Sequence, residues 1–350
     1  MTDKHRVRFE PVGLEIEVDE KETILEGAFR QGVMLMHGCK EGQCSSCKSF
    51  LLEGEEGLEL EMDRYSTFAL NDTEKAEGHV LLCRAHAYDD LTIELLNYDE
   101  DMLRSGARIT TARTRVTTID PITSDLRRLV LALEEPKEFA FLPGQYVDIT
   151  IPGTQEHRSF SMSTTPAQSD HLEFVIKMYP GGKFSELLDS GLKIGDELEI
   201  KGPYGMFTLR ESHQSDLVFV GGGAGMAPVL SLLRSMDERG IQRSARFYSG
   251  ARTEADLCFL EELCSFEQRL SRFTYTSALS HLDDGAEWKG ETGFVHDVVD
   301  RIEGDLTGVD AYVCGPPPMV EAAIAVLEQH GVATEHIYYD KFTTSADAGE

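Results

Sequence analysis

The sequence contains no long apolar run. No stretch comes near the roughly 18 consecutive apolar residues that a membrane-spanning helix needs. The first ten residues, MTDKHRVRFE, lack the apolar centre of a secretory signal, so we expect the chain to remain in the cytoplasm. Disulfides are rare in that reducing compartment, and the seven cysteines, an odd number, fit a disulfide framework poorly. The cysteines therefore need another explanation.

Basic residues are also scarce. The 350 residues include 33 Lys and Arg against 62 Asp and Glu, a formal net charge of −29. Such a surface repels phosphate backbones and anionic lipid, so we expect neither nucleic acid nor a membrane as a partner. The first 100 residues carry 10 basic and 23 acidic side chains, net −13. Two interpretations stay open: the acidity keeps the protein in solution, or it presents the N-terminal third to a basic protein partner.

Four cysteines follow a spacing with a known chemistry. Cys39, Cys44 and Cys47 read C-x4-C-x2-C, and Cys83 follows in VLLCR. This is the spacing of plant-type [2Fe–2S] sites. A structural zinc site usually has two paired knuckles, and only one is present here, although His86 could complete a Cys/His variant. The spacing favours an iron–sulfur cluster over zinc and over thiols without a metal.

The residues near these cysteines predict a small mixed sheet over residues 3–97. RVRFE and LEIEV alternate apolar and polar residues around a glycine, as a β-hairpin does. Thr23 and Glu26 have the spacing of a capping box and predict the start of a helix that ends near Gly32. Gly38 and Gly42 let backbone N–H groups approach the sulfurs, and the hydroxyls of serines 45 and 46 are further donors. Residues 98–107 are polar and without periodicity, which indicates a linker.

Short strands and turns rich in Pro and Gly between residues 108 and 211 predict an antiparallel barrel. Two motifs lie within it: RSFS, residues 158–161, after a predicted strand, and GGKFS, residues 181–185, at the start of a short helix. A glycine turn before a helix N-terminus suits a pyrophosphate, and Arg158 could add a charged contact. Phe160 offers an aromatic face to a flat ring and Ser161 a hydroxyl. Each motif alone also occurs without a ligand.

Strands and helices alternate over residues 215–342, which predicts a parallel α/β sheet. GGGAGMAP follows the first strand and leads into a helix, the context of a dinucleotide phosphate site. Gly223 and Gly225 fit the usual fingerprint, but Pro228 stands at the third glycine position. Cys314, in CGPPPM, follows another strand, so both turns are expected at one crevice. A tight crossover turn without a ligand is the alternative.

In this order, RSFS, GGKFS, GGGAGMAP and CGPPPM resemble the ferredoxin–NADP+ reductase superfamily module. With the cysteine domain in front, the chain resembles the reductase components of bacterial multicomponent oxygenases. LMHGCKEGQCSSCK, VLLCR and YYDKF are most similar to reductases of soluble diiron monooxygenases of the methane and propane type. The resemblance implies a multidomain α+β and α/β fold. It comprises a β-grasp [2Fe–2S] ferredoxin domain, an antiparallel β-barrel FAD domain and a parallel α/β nucleotide-binding domain.

The resemblance also implies roles for individual residues. The cluster ligands would be Cys39, Cys44, Cys47 and Cys83. The flavin would be bound by Arg158, Phe160 and Ser161, and its pyrophosphate by Gly182 and Ser185. The family usually has Tyr where Phe160 stands, so stacking is kept and one hydroxyl is lost. The dinucleotide would be bound by Gly222, Gly223, Gly225, Pro228, Cys314 and Gly315. The residues expected at the reacting rings are Ser161, Cys314 and Phe342.

The implied activity is electron transfer. NADH would deliver a hydride to FAD, and the electrons would pass singly to the cluster and then to the diiron hydroxylase of a propane or other short-alkane monooxygenase. Alternatives are a reductase for an aromatic-ring oxygenase or phenol hydroxylase, a stand-alone flavoprotein reductase, and a non-enzymatic electron carrier. We expect a monomer with a mobile tail over residues 343–350. Arg252 could bind the 2′-phosphate of NADPH, whereas the resemblance implies NADH.

Overall fold

The computed structural model describes residues 3–52, 60–103, 108–168, 170–282 and 287–342. The chain divides into two compact units, Met1–Ile109 and Thr110–Glu350, and each is described by itself. In the described ranges, none of the helices combines the length and the apolar character needed to cross a bilayer.

The first unit is a mixed sheet with three short helices. Its elements are β1 (Lys4–Glu10), β2 (Leu14–Asp19), α1 (Ile24–Arg30), β3 (Lys48–Leu51), β4 (Leu60–Met62), α2 (Asp72–Ala76), β5 (His79–Leu81), β6 (Ala85–Ala87), β7 (Leu91–Leu95) and α3 (Glu100–Leu103). The five-stranded sheet has the order β2-β1-β7-β3-β5, and β4 pairs with β6. Only β1 and β7 pair in parallel. This is the β-grasp arrangement that the sequence predicts.

Local sequence signals explain the start of this unit. The β1–β2 hairpin turns at Gly13, whose φ of 65° suits glycine. Thr23 accepts a hydrogen bond from the N–H of Glu26, and the Glu26 carboxylate accepts one from the N–H of Thr23. The predicted capping box is therefore present, and it fixes where α1 begins. Buried side chains such as Phe9 and Phe29 then close the sheet against α1.

The second unit begins with an antiparallel sheet. Its elements are β8 (Thr110–Pro121), β9 (Leu126–Glu135), β10 (Tyr146–Thr150), β11 (His157–Ser161), β12 (His171–Lys177), α4 (Lys183–Glu186) and β13 (Glu197–Tyr204). The order is β11-β10-β13-β8-β9-β12. A bridge between Met162 and Phe174 joins the two outer strands and closes the sheet towards a barrel. A π-helical turn, Leu187–Gly191, continues α4.

A parallel sheet with helices follows. Its elements are β14 (Leu217–Gly221), α5 (Met226–Arg239), β15 (Ala245–Ala251), α6 (Leu260–Arg269), β16 (Phe273–Leu279), β17 (Glu291–Thr292), α7 (Val295–Ile302), β18 (Asp310–Gly315), α8 (Pro317–Gln329) and β19 (Ile337–Lys341). The order is β17-β16-β15-β14-β18-β19, and all pairs are parallel. The loops at the carboxyl ends of β14, β15 and β18 therefore meet at one edge.

The barrel and the parallel sheet share one apolar core. Leu126 and Val175 of the barrel pack with Met226, Val229 and other α5 side chains. Because α5 starts directly after the glycine turn, this packing fixes the turn relative to the barrel.

Most predicted strands are present, with three differences. The RSFS residues lie within β11 itself, not after a strand. The two-residue strand β17 has too short a pattern to be predicted. Helix α3 begins inside the segment predicted as a linker and buries Met102 and Leu103. Linker residues 104–107, the acidic residues 53–59 and the predicted tail 343–350 lie outside the described residues.

Candidate functional site

Three of the four predicted cluster ligands lie in the loop between α1 and β3. Lys40, Gly42 and Ser45 have positive φ angles of 61°, 70° and 57°, so the backbone turns sharply around the cysteines. A Cβ on Gly42 would lie 2.7 Å from Cβ of Tyr65 and 2.9 Å from Cγ of Arg84. Glycine is therefore required at residue 42 both for its conformation and for space.

The tight turn directs N–H groups at the sulfurs. The N–H of Gln43 lies 3.1 Å from Sγ of Cys39, measured from the nitrogen, and the N–H of Cys39 lies 3.2 Å from Sγ of Cys44. Cys83 accepts a hydrogen bond from the backbone of Gly42, and Cys44 accepts one from Ser46. Such donors stabilise sulfur-centred negative charge and tune the potential of a bound cluster.

Ser45, predicted as a further donor to sulfur, has a different partner. Its hydroxyl donates to the carbonyl oxygen of Cys44 at 2.7 Å. Its contribution is to the shape of the loop.

The four sulfurs form two pairs. Cys39 is hydrogen-bonded to Cys44, and Cys47 to Cys83. These bonds, with burial, raise the pKa of Cys39 and Cys83, whereas the bond from Cys39 lowers the pKa of Cys44. Among the described residues, no three of these sulfurs lie within 4.8 Å of one another, since the single group that meets this distance is elsewhere.

This pairing fits a cluster of two irons. A zinc ion with bonds of about 2.3 Å to four sulfurs would bring all of them to about 3.8 Å from one another. Two separate pairs match two irons with two sulfur ligands each. His86, the alternative zinc ligand, is engaged elsewhere, because its ring nitrogens lie 3.1 Å from the Glu20 carbonyl oxygen and 3.2 Å from Asp63 Oδ2.

In the second unit, strand β11 meets the GGKFS turn. Strand alternation places Arg158 and Phe160 on one face and Ser161, which is buried, on the other. The ring of Phe160 packs on Phe184 of α4, with centroids 4.6 Å apart. The two motifs that are weak alone are therefore neighbours.

Two cations from these motifs share one carboxylate. Arg158 and Lys183 both form ion pairs with Glu156, and the Lys183 bond chiefly lowers the pKa of Glu156. Arg158 and Lys183 are cations of the kind that bind a flavin pyrophosphate. The donor set fits the phosphate groups of FAD.

Ser185 and Gly182 shape the turn. The Ser185 hydroxyl accepts from the N–H of Tyr179 at 2.9 Å. A Cβ on Gly182 would lie 3.1 Å from the carbonyl oxygen of Tyr179 and 3.2 Å from the Ser185 hydroxyl. Ser185 thus closes the turn and keeps its own hydroxyl proton for a second partner.

The glycine turn after β14 is held between two other strand ends. A Cβ on Gly222 would lie 2.2 Å from the carbonyl oxygen of Gly250, at the end of β15. A Cβ on Gly225 would lie 2.3 Å from the carbonyl oxygen of Cys314, at the end of β18. Gly223 has a φ of 58° and an open side, and Pro228 is buried inside α5. Backbone N–H groups at this edge can approach a phosphate closely, so the turn fits a dinucleotide.

Phe342 joins this edge from the end of β19. Its N–H donates to the carbonyl oxygen of Gly315 at 2.9 Å, and its side chain packs against the shared core. Cys314 was expected at the rim of the crevice but is fully buried, and burial raises its pKa. The same edge of the sheet therefore contains Cys314, Gly315, Gly225 and Phe342. The Cys314 thiol is protonated there and shielded from solvent.

Arg252, the candidate for binding the 2′-phosphate of NADPH, is already paired with carboxylates. Its guanidinium lies 2.7 Å from Asp125 and 3.3 Å from Asp256. Asp125 also pairs with Lys177 of the barrel. Two carboxylates therefore already hold this cation.

The sequence reasoning missed Lys183 and Asp125. Lys183 could have been recognised as a phosphate-binding residue from its positive charge inside the GGKFS turn. Asp125 had no signal, because it lies 127 positions before Arg252 and only the fold brings them together.

The fold and these sites define a class of oxidoreductase with an iron–sulfur domain, a flavin barrel and a dinucleotide-binding domain. Comparison of families agrees: residues 7–88 match the 2Fe-2S iron-sulfur cluster binding domain. Residues 113–209 match the oxidoreductase FAD-binding domain, and residues 219–324 the oxidoreductase NAD-binding domain.

Similar proteins cover the whole chain. The reductase component of propane 2-monooxygenase from Rhodococcus jostii is 54% identical over 99% of this chain and 93% of its own length. The reductase component of phenol 2-monooxygenase from a Pseudomonas species is 37% identical over 99% of this chain and 97% of its own. The crystal structure of an Amycolatopsis cytochrome P450 reductase superposes with a TM-score of 0.85 at 29% identity, covering 97% of this chain and 99% of that one.

The chain belongs to the family of iron–sulfur flavoprotein reductase components of monooxygenases. It is an NAD(P)H-dependent oxidoreductase whose cofactors are FAD, a nicotinamide dinucleotide and a [2Fe–2S] cluster.

Proposed function

We propose that this protein supplies electrons from NADH to the hydroxylase of a diiron monooxygenase that acts on propane or another short alkane. The observation that carries the proposal is the 54% identity, over almost the full length, to a propane 2-monooxygenase reductase component. The relative from phenol 2-monooxygenase, at 37% identity, makes an aromatic hydroxylase the second candidate.

The cofactor residues are part of the proposal. Cys39, Cys44, Cys47 and Cys83 hold the cluster. Arg158, Phe160, Ser161, Gly182 and Ser185 bind the flavin. The nicotinamide dinucleotide is bound by Gly222, Gly223, Gly225, Pro228, Cys314 and Gly315. The residues next to the reacting rings are Ser161, Cys314 and Phe342. When bound, the flavin accepts two electrons as a hydride and releases them singly, as a one-electron cluster requires.

The side chains then act by charge and by exclusion of water. Arg158 of β11 and Lys183 of the GGKFS turn would neutralise the pyrophosphate. The glycine turn brings N–H groups to the dinucleotide phosphates because Gly222 and Gly225 carry no Cβ. Phe342, which packs against the shared core, offers apolar surface that keeps water from the reacting rings, and the buried Cys314 thiol adds no charge nearby.

We also propose the domain limits 3–97, 108–211 and 215–342, with 98–107 as a linker and 343–350 as a tail. The protein would act as a monomer in the cytoplasm.

The test is reconstitution with purified hydroxylases. With NADH, the reductase should support propane oxidation by a propane-type hydroxylase and much less phenol oxidation by a phenol hydroxylase. Equal support of both, or phenol oxidation alone, would reject the alkane assignment while leaving the reductase class intact.

An exposed aromatic residue near the cluster loop allows a more specific test of electron delivery to the hydroxylase. Phe68 is 96% exposed, and its loop is joined to the cluster loop by a hydrogen bond from the N–H of Ser66 to the carbonyl oxygen of Gly42. Phe68→Ala should slow electron delivery to the hydroxylase about tenfold, because a large exposed ring is a common centre of a protein contact. Reduction of ferricyanide by the flavin should not change. Ile194→Ala, which removes an exposed apolar side chain from the second unit, is the control.

A further inference from the structure

Asp310 is a buried carboxylate at the start of β18, and its side chain is 0% exposed. Its Oδ1 lies 2.8 Å from Nδ1 of His336 and 3.2 Å from Nδ1 of His213. These three ligand atoms lie within 4.8 Å of one another, and no other trio of such atoms does so in the part of the chain that the structure describes. His213 precedes β14 and His336 precedes β19, so the fold gathers the three from separate segments.

The second carboxylate oxygen of Asp310, Oδ2, accepts a hydrogen bond from Arg243. Nη2 of Arg243 donates to Oδ2 at 2.6 Å. The same guanidinium is fixed by Ser215, because Nε donates to the Ser215 carbonyl oxygen at 2.7 Å. Oδ2 also lies 3.1 Å from Nδ1 of His213, so His213 faces both oxygens of Asp310, whereas His336 faces Oδ1. Outer hydrogen bonds of this kind orient the ligating carboxylate in metal sites.

The distances suit a metal ion. Zinc lies about 2.0–2.2 Å from nitrogen and oxygen ligands, so two ligands at the tetrahedral angle are about 3.4 Å apart. The distances of 2.8 and 3.2 Å between Oδ1 and the two Nδ1 atoms are hydrogen-bond distances, a few tenths of an ångström shorter than this spacing. Small rotations of the two partly exposed imidazoles would therefore bring the three atoms to the spacing of zinc ligands.

The site is also accessible. The side chains of His213 and His336 are 33% and 35% exposed. His213 and Arg243 line a cavity of about 370 Å³ together with Asp216. Asp310 and His336 are not among the residues that line this cavity, so it gives solvent access on the His213 side of the trio.

We propose that His213, Asp310 and His336 form a binding site for a divalent transition-metal ion of the zinc class. Two imidazoles and one carboxylate are a ligand set that zinc accepts, with water in the remaining positions. The site lies at the amino-terminal edge of the parallel sheet, opposite the glycine turn, and is separate from the cofactor sites. A bound ion ties the segment before β14 to the starts of β18 and β19, and β19 carries Phe342 at its far end.

The test measures zinc uptake by the holoenzyme. Equilibrium dialysis against zinc chloride, with metal analysis, should give one zinc ion per chain above background. His213→Gln and His336→Gln should each weaken this uptake about tenfold or more, since each removes one of three ligands while Gln keeps a donor for Asp310. All proteins carry Cys264→Ser, because that exposed thiol could also take zinc.

His330→Gln is the matched control. His330 also faces a carboxylate, Asp300 at 2.9 Å, but belongs to no such trio. Its zinc uptake should equal that of the parent. In a second readout, zinc at 100 times its Kd should raise the Tm of the parent and the control by about 5 °C, but not that of the two site variants. Absent uptake by the parent, or uptake that either site variant retains, would overturn the proposal.

Discussion

Arg252 shows how one side chain is given its role by its neighbours. An arginine at the end of the second strand of a dinucleotide domain is a candidate for the 2′-phosphate of NADPH. Here Asp125 and Asp256 already hold the guanidinium. A 2′-phosphate would have to approach two carboxylates, and like charges at this distance repel.

We therefore predict a preference for NADH. The kcat/KM for NADH should exceed that for NADPH by about tenfold or more, which corresponds to about 1.4 kcal/mol. Asp256→Asn should lower the ratio of kcat/KM for NADH to kcat/KM for NADPH. It removes one negative charge that repels the 2′-phosphate and one ion-pair partner of Arg252. Steady-state kinetics with both dinucleotides measure this. Asp237→Asn, which changes a carboxylate paired with the exposed Arg269, is the control. A higher kcat/KM for NADPH in the unaltered protein would contradict the prediction.

At the scale of elements, one ion network joins α5 to the barrel. Arg234 of α5 donates to Glu173 of β12 at 3.0 Å and to the carbonyl oxygen of Ser163 at 2.8 Å. It also forms two bonds to Glu262 of α6 at 2.7 and 2.8 Å. Because the glycine turn directly precedes α5, this network helps to fix the dinucleotide side relative to the flavin barrel.

We expect Arg234→Met to lower the free energy of unfolding by about 1.5–3 kcal/mol. The reason is that Glu173, whose side chain is 4% exposed, loses one of its two arginine partners while it stays buried and keeps the other, Arg128. Urea unfolding measures the change. Arg239→Met, which breaks an exposed pair with Glu211, should cost about 1 kcal/mol or less. A loss no larger than that of the control would show that the network is not a structural link.

The same network predicts a pH dependence. Burial raises the pKa of Glu173, but the charge of Arg234 and the hydrogen bonds from Ser163 and Arg234 outweigh it, so the pKa lies below its usual range. The unfolded value is near 4.3. The stabilisation is therefore complete above that pH and is lost as the pH falls through the lower folded pKa. The stability difference between the unaltered protein and Arg234→Met should shrink below about pH 4.

At the scale of the molecule, the cluster residues and the flavin residues belong to different compact units. We predict that Cys83→Ser keeps FAD and the NADH-dependent reduction of ferricyanide, because separate domains fold on their own cores. Electron delivery to the hydroxylase should be lost, since one cluster ligand is missing. The unaltered protein should contain two irons and two sulfides per chain. Loss of FAD together with the cluster would contradict the prediction, and Cys264→Ser is the control.

The acidity also acts at this scale. Residues 52–63, LEGEEGLELEMD, lie near the cluster loop in sequence, although Glu55, Glu56 and Glu59 lie outside the described residues. If this segment meets a basic hydroxylase surface, charge attraction mainly speeds association. Salt at 1 M shortens the screening length from about 10 Å to about 3 Å. We expect hydroxylase turnover to fall with salt while reduction of a neutral dye barely changes.

Charge reversal at these three glutamates should reproduce the salt effect in the hydroxylase assay alone. Unchanged turnover in salt and in the variants, with reductase limiting, would leave the acidity as a means of keeping the protein in solution.

The sequence by itself determined the order of the three domains and the chemistry of the cluster. Both are encoded locally: cysteine spacing, capping boxes and glycine turns act over a few residues, and the strands are marked by apolar alternation or by short apolar runs. The strands β8–β10, β12–β16, β18 and β19 follow such patterns. The capping box at Thr23 and Glu26 likewise needs no distant partner.

Only the tertiary structure decided which distant residues meet. It sorted the four sulfurs into two pairs, gave Arg252 to Asp125, buried Cys314 and assembled Asp310 with two histidines. Apart from the pair of Cys39 and Cys44, these contacts join residues that lie tens or more than a hundred positions apart. Their partners are set by strand order and helix packing, which depend on the burial of the whole core and leave no periodic trace near either residue.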